Sequence, residues 1–375
     1  MNMRQFKGVL RSYLDANITV QIMSAPGIGK SEGTNQAVAE YNKAEPATRT
    51  YMGKSLPKWG ITTVMLATYT PSDVLGYLIP GKQVVNDKEV RISEFTMPPW
   101  MISDEGIPMN EYDRGVVFVD EWDKADPDVK RAFAEVLLNR RAGKWQLHKG
   151  IGVVVASNRS QDRSGSTKEF DFIINRRAEI HIQPDVKAWE DWAVRTGVNP
   201  LFITFALKNP GIVFEGKVPE KQGPFCTPRS LVMASKLLEG KFDKSGALPL
   251  GDEAEEAMIS EMVSGLIGSA PTNHLLTWCK LKTEVPDFDD IVKDPAGTEI
   301  PPKPDAKMLI AYECAHRCTI ENAEKVVDYA LRLPKEFQVT FGAAAIKRNH
   351  RLLAAKGMKD KFIPKNAALI NLIGQ

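Results

Sequence analysis

The stretch Ser24-Ala25-Pro26-Gly27-Ile28-Gly29-Lys30-Ser31 sets two glycines, a lysine and a hydroxyl in the order that a phosphate-gripping loop needs. Gly27 and Gly29 can turn backbone N–H groups inward around phosphate oxygens, and a helix starting at the loop's end adds its positive N-terminal pole. Ala25, Pro26 and Ile28 complete the loop. Lys30 is expected to bridge the β- and γ-phosphates of a nucleotide, and the Ser31 hydroxyl to serve Mg²⁺. Ser24 stands where the usual pattern has its first glycine.

A second constellation follows at Val116-Val117-Phe118-Val119-Asp120-Glu121, where two carboxylates end an apolar run. At the C-terminal edge of a buried strand, Asp120 can hold Mg²⁺ through its water shell, and Glu121 can orient and deprotonate an attacking water. The plainer alternative makes Asp120 a helix cap and Glu121 a solvated side chain. A third apolar run, Ile151 to Ala156, ends in Ser157-Asn158, whose amide could bond both a γ-phosphate and a water. Guanidinium groups stabilise charge spread over a transferring phosphoryl group. Arg176 and Arg177 precede the run Ala178–Ile182 and are candidates to face a neighbouring subunit, while Arg229 opens a helix that could reach over its own chain's nucleotide.

These residues need a scaffold. Short β-branched or apolar runs at 18–23, 61–69, 116–119, 151–156 and 178–182 predict five buried parallel strands, with connections long enough for helices. Residues 83–92 alternate about the turn pair Asn86-Asp87, which predicts a β-hairpin. From Pro184 onward the pattern becomes helical, at 186–195, 200–207, 228–238, 253–267, 306–316, 320–333 and 343–355, interrupted by a Pro-, Asp- and Lys-rich stretch at 286–304. The expected architecture is an α/β nucleotide-binding domain over residues 1–183, a helical lid over 184–285, and a linker with a helical C-terminal extension over 286–375.

Composition excludes more than it assigns. Lys plus Arg number 49 against 47 for Asp plus Glu, so no whole-molecule field points to nucleic acid. Four cysteines without a repeated framework fit a reducing compartment. The apolar runs are too short to cross a bilayer, and the first sixteen residues show helical spacing rather than a leader's apolar stretch, so a cytoplasmic protein is expected.

In order, the segments Ser24–Ser31, Val116–Glu121, Ser157-Asn158, Asn175-Arg176 and Thr227-Pro228-Arg229 resemble the MoxR-like branch of the AAA+ P-loop ATPases, over roughly residues 1 to 240. Thr70-Pro71-Ser72-Asp73-Val74-Leu75-Gly76 is similar to that branch's segment after its second strand. The resemblance implies a five-stranded parallel sheet with helices on both faces, ATP and Mg²⁺ as cofactors, and hydrolysis of ATP to ADP and phosphate. It makes Lys30 and Ser31 Walker A, Asp120 and Glu121 Walker B, Asn158 sensor 1, Arg176 the trans-acting finger and Arg229 sensor 2. Arg177 occupies the place where the family carries an aromatic, so either arginine is a candidate finger. Members form hexameric rings and act with a partner bearing a von Willebrand factor A domain in remodelling or maturing protein complexes. The rivals are a DNA-directed AAA+ ATPase of the helicase-loader type and an ATP-gated scaffold with little turnover. A GTPase is disfavoured because the guanine-reading Asn-Lys-x-Asp pattern is absent.

Three further features carry weaker expectations. Lys144, Trp145 and His148, in a basic stretch, either grip a substrate or belong to a solvated hairpin. Lys347, Arg348, Arg351, Lys356, Lys359, Lys361 and Lys365 form either a phosphate-binding or acidic-partner surface or ordinary solvated helix faces. Cys314, His316 and Cys318 at helical spacing read as a core face rather than a zinc site.

Overall fold

In the computed structural model, which describes residues 1–159, 170–215 and 222–366, the chain forms two units, Met1–Pro184 and Asp185–Gln375. The first is built around strands β1 (Val20–Ser24), β4 (Trp59–Met65), β7 (Arg114–Asp120), β10 (Ile151–Asn158) and β11 (Ala178–His181). These are the five expected strands, and they pair in the order β11-β1-β10-β7-β4, parallel throughout. Smaller hairpins join β2 (Arg49–Tyr51) to β3 (Lys54–Leu56), β5 (Leu78–Val85) to β6 (Lys88–Phe95), and β8 (Arg141–Ala142) to β9 (Trp145–Gln146).

Side-chain alternation explains why both sheet faces are covered. Val116 and Phe118 point to one side, where Val20, Ile22 and Val154 meet Phe6, Leu10, Ala37 and Val38. Those last four come from helices α1 (Met3–Asp15) and α2 (Lys30–Ala44). Val117 and Val119 point the other way, with Val153 and Val155, onto Val129, Phe133 and Leu137 of α4 (Pro127–Asn139). Strands β7 and β10 are therefore apolar on both faces, which is the composition a parallel central strand requires. Helix α1 starts from a capping box in which Asn2 and Gln5 exchange side-chain bonds, and its stripe Phe6, Leu10 and Leu14 is buried. Leu14 sits so close to β10 that a Cβ on Gly152 would lie 2.3 Å from its Cδ2.

The predicted hairpin is β5–β6, somewhat longer than expected. Asn86 and Asp87 both hold positive φ, 50° and 59°, as a two-residue type I′ turn demands. Strand β4 ends at Met65, where its partner β7 ends at Asp120, so the expected continuation to Tyr69 becomes a 3-10 turn over Leu66–Thr68. Two short helices complete this unit, α3 (Pro71–Leu75) and α5 (Asp171–Ile174).

Every element described in the second unit is helical: α6 (Val186–Thr196), α7 (Pro200–Lys208), α8 (Pro210–Val213), α9 (Pro228–Leu237), α10 (Glu253–Ile267), α11 (Ser269–Cys279), α12 (Phe288–Lys293), α13 (Pro304–Arg317), α14 (Ala323–Ala330), α15 (Lys335–Arg348) and α16 (Ile363–Lys365), with short 3-10 and π turns between them. One apolar cluster takes Phe202, Leu231 and Ile259 from before residue 286 and Leu309, Val326 and Phe341 from after it. The Pro-rich stretch contributes too, since α12 buries Phe288 and Ile291. Helix α11 escaped the sequence reading because Gly268, at φ 85°, breaks the line from α10, and its backbone lies so close to Pro224 O that a Cβ would stand 2.7 Å away. Helix α15 begins directly after Pro334, ahead of the expected start at residue 343.

Candidate functional site

Because the five strands run parallel, their C-terminal ends lie along one edge of the sheet, and the chemistry-bearing residues are found there. Ser24 ends β1 opposite Asn158, the last residue of β10. Asp120 ends β7 opposite Met65. Between Ser24 and α2 the chain turns through Gly27 at φ 75° and Gly29 at φ 88°, left-handed conformations that side-chain-bearing residues adopt at a cost. Gly29 caps α2, whose first residues are Lys30 and Ser31, so the loop leads straight into the N-terminus of a fifteen-residue helix.

Three segments far apart in sequence are joined by side-chain bonds at this edge. Lys30, a residue 9% exposed, donates from its ammonium to Ser24 Oγ at 3.1 Å and to Asn158 Oδ1 at 2.9 Å. Ser31 Oγ donates to Asp120 Oδ2 at 2.6 Å. Ser24 thus offers the lysine an acceptor that glycine at this position would lack. A hydroxyl and a carboxylate oxygen 2.6 Å apart form a pair of hard oxygen donors suited to a small divalent cation such as Mg²⁺. No built Cβ on Gly29 meets an atom within 4 Å, so the turn's outer side is open.

Glu121 follows in an unusual conformation. Its φ of 53° is left-handed, a strained state for a non-glycine residue and one that clusters at functional sites. Its N–H donates to Asp120 Oδ1 at 2.8 Å, and its carboxylate pairs with Lys124 at 3.0 Å on a partly exposed surface. From there the chain enters a 3-10 turn, Trp122–Lys124, whose Asp123 is buried. Asp123 Oδ1 accepts the backbone N–H of Asn158 at 3.0 Å. Neither Lys124 nor Asp123 was singled out from sequence. The i, i+3 spacing of Glu121 and Lys124 was a readable signal, whereas the Asp123 contact spans thirty-five residues.

The two adjacent arginines diverge. Arg176 donates to Ala134 O at 3.0 Å and lies over the Phe172 ring, its guanidinium carbon 5.4 Å from the centroid. Arg177 turns onto the sheet, where Nε donates to Gln21 Oε1 and the guanidinium stands 5.4 Å from a Trp122 ring centroid. Gln21 in turn donates to Ser157 Oγ at 2.7 Å, so Arg177 is tied to the strand that carries Asn158. Arg229 lies in the second unit, exposed in the first turn of α9 behind the Thr227/Ser230 capping box. Thr70 and Asp73 build a similar box at α3, and the Thr70 backbone and hydroxyl donors hold the Asp73 carboxyl below its usual range.

Of the weaker expectations, the gripping reading of 144–148 finds no support in the side-chain partners. His148 Nδ1 accepts from Gly150 N–H at 3.0 Å, which leaves Nε2 to carry the proton and donate to Tyr112 O at 2.8 Å, so both ring nitrogens serve a turn. Trp145 packs on the sheet's second core, and Lys144 lies over its ring and pairs with Glu94 at 3.1 Å. In the C-terminal basic segment Lys356 and Lys361 pair with Glu324 and Lys361 also with Asp328, while Lys347 pairs with Asp191. These lysines face acids of their own unit, as solvated helix faces do. All four cysteines are buried as free thiols, with Cys226, Cys279 and Cys318 pushed up to about 12 by burial. Among the described residues no three His, Cys, Asp or Glu side chains form a metal-holding group, and no helix is long and apolar enough to cross a membrane.

No protein-family model matches the chain. No curated protein sequence matches it either. Among solved structures, NtrX from Brucella abortus in complex with ATP is similar at 13% identity and a TM-score of 0.31, covering 100% of this chain and 68% of that one. A point mutant of RuvB from Thermotoga maritima is similar at 12% identity and a TM-score of 0.36, covering 78% of this chain and 76% of that one. Likeness at this level carries no argument about activity, so the chemistry rests on the side-chain geometry.

Proposed function

We propose that this chain is a Mg²⁺-dependent ATPase of the AAA+ kind that works in a ring of its own copies. One observation carries the reading: Lys30, Ser31, Asp120 and Asn158, drawn from three separated segments, are joined by hydrogen bonds at 2.6 and 2.9 Å on one edge of a parallel sheet. The glycine turn supplies inward N–H groups, and α2 supplies the positive pole, for a triphosphate. Ser31 and Asp120 would hold Mg²⁺, which when bound offsets the charge on the phosphate oxygens. Lys30, bound between Ser24 and Asn158, would exchange those partners for phosphate oxygens. Glu121 would take a proton from the attacking water once its carboxylate leaves Lys124.

Arg176, the position that the resemblance gives to the finger, would reach a neighbouring subunit's nucleotide on leaving Ala134 O and the Phe172 ring, with Arg177, held by Gln21 and Trp122, as the alternative. Arg229 would act as the sensor from the lid, residues 184–285, with residues 286–375 as its extension. Resemblance to the MoxR-like branch supports a chaperone-like role in remodelling or maturing a protein complex, in a cytoplasmic hexamer with a partner that carries a von Willebrand factor A domain. A DNA-directed role is less favoured, since Lys347, Lys356 and Lys361 are paired with acids of the second unit.

The test is nucleotide calorimetry with hydrolysis assays on wild type and Glu121→Gln. Wild type is expected to bind ATP and release phosphate. The variant is expected to bind ATP equally well and to hydrolyse it on the order of 10²- to 10⁴-fold more slowly. A wild type that binds no adenine nucleotide sinks the reading.

A further inference from the structure

Strand β10 outruns its neighbour β7. Their register ends at Val119 opposite Val155, while β10 continues to Asn158 and stays paired with β1 as far as Ser24. On the β7 side, the Asn158 N–H therefore lies beyond the last ladder partner. A part-buried backbone donor needs an acceptor. Asp123 Oδ1 provides it at 3.0 Å, from a residue only 6% exposed in the turn that follows Glu121. The side chain of the same Asn158 accepts from Lys30 at 2.9 Å.

We propose that Asp123 is a positioning residue for Asn158, fixing the end of β10 so that the Asn158 amide oxygen bears on Lys30 and on the γ-phosphate side of the site. The proposal rests on the nucleotide-hydrolysis reading above. Asp123 would act through Asn158 rather than on the nucleotide itself. It ties the turn that carries Glu121 to the strand that carries Asn158, so the water-activating and phosphate-sensing groups share one mechanical link. On the other side of the strand end, Gln21 holds Ser157 Oγ at 2.7 Å and Ser24 pairs with Asn158 in the ladder, so the Asp123 bond is what fixes Asn158 from the β7 side.

Two readouts test it. The first needs no catalysis: amide hydrogen exchange at Asn158 is expected to quicken at least tenfold in Asp123→Ala and to remain near wild type in Asp123→Asn, which keeps an acceptor oxygen. Unchanged exchange in Asp123→Ala overturns the proposal whether or not the protein hydrolyses ATP. The second reads hydrolysis: Asp123→Ala is expected to lower kcat on the order of 10- to 100-fold with little change in ATP affinity, and Asp123→Asn to restore most of it. Adding Asn158→Ala to Asp123→Ala is expected to cause no further loss, since the two act as one unit. Losses that multiply, or a fall in affinity matching the fall in kcat, reduce Asp123 to a structural residue. If Asp123→Ala fails to fold, Asp123→Leu, close in size and without an acceptor, carries both readouts, and wild-type values for it overturn the proposal.

Discussion

His316 sits on α13, where burial first, and the Arg348 and Arg317 guanidiniums second, push its ring down from the usual 6.5 to about 4. Above pH 6.5 the ring is neutral in folded and unfolded chain alike, so it takes nothing from stability. As pH falls below 6.5 the unfolded chain gains a proton that the folded unit refuses until pH approaches about 4. Linkage makes the loss about 2 kcal/mol at about pH 5 and about 3 kcal/mol once both states are protonated. That is a large fraction of the stability of a unit this size. The perturbation is His316→Gln, which cannot take up a proton in this range. Urea unfolding followed by tryptophan fluorescence between pH 7 and pH 4 gives the stability of each form at each pH. Other groups titrate in the same window, so the measured quantity is the difference in pH slope between the two proteins. Wild type is expected to lose about 2 kcal/mol more than the variant between about pH 7 and pH 5. Parallel slopes would falsify the account, because they mean that the imidazole is charged in the folded unit or reaches solvent.

Lys282 and Glu313 form an ion pair at 2.5 Å with side chains only 3% and 9% exposed, and burial pushes the Glu313 carboxyl up against the opposing pull of Lys282. Lys282→Met is expected to destabilise the second unit by about 3 to 5 kcal/mol, with much of that recovered when Glu313→Met is added, as read by urea unfolding. Arg177→Ala is expected to destabilise the first unit by about 1 to 3 kcal/mol through loss of the Gln21 bond and the Trp122 contact, measured by thermal unfolding. Arg176→Ala, which loses the Ala134 O bond and the Phe172 contact, is expected to cost about 1 kcal/mol of stability and to lower hydrolysis on the order of 10³-fold. Mixing that variant with Lys30→Ala chains is expected to restore activity, because each supplies what the other lacks across a subunit boundary, and failure to complement would return the finger to Arg177 or remove it.

The parts that were legible in the sequence are those whose causes are local. Val116 to Val119 is apolar at every position, so it had to be a strand covered on both faces, and the carboxylates that follow had to emerge at its end. Asn86-Asp87 tolerates the left-handed backbone that a two-residue hairpin turn imposes, and Gly27 and Gly29 do the same for the loop before α2. Helix limits failed where one residue overruled the periodicity, as Gly268 did between α10 and α11 and Pro334 did at the start of α15.

Side-chain destinations were illegible for a different reason. Nothing near Arg177 in sequence distinguishes it from Arg176, and the difference arises from Gln21, a residue 156 positions away that happens to lie on the neighbouring strand. The one local clue was Gln21 itself, a polar side chain in the middle of the apolar run 18–23, since a buried amide must find partners from whatever elements pack beside it. The same logic governs His148, whose basic and aromatic neighbours suggested a gripping surface, while its two ring nitrogens are consumed by Gly150 and Tyr112. A polar residue amid apolar ones announces that a partner exists without naming it. The identity of that partner follows from strand order, and here the order that sets β1 between β10 and β11 is what brings Gln21 beside Ser157 and within reach of Arg177.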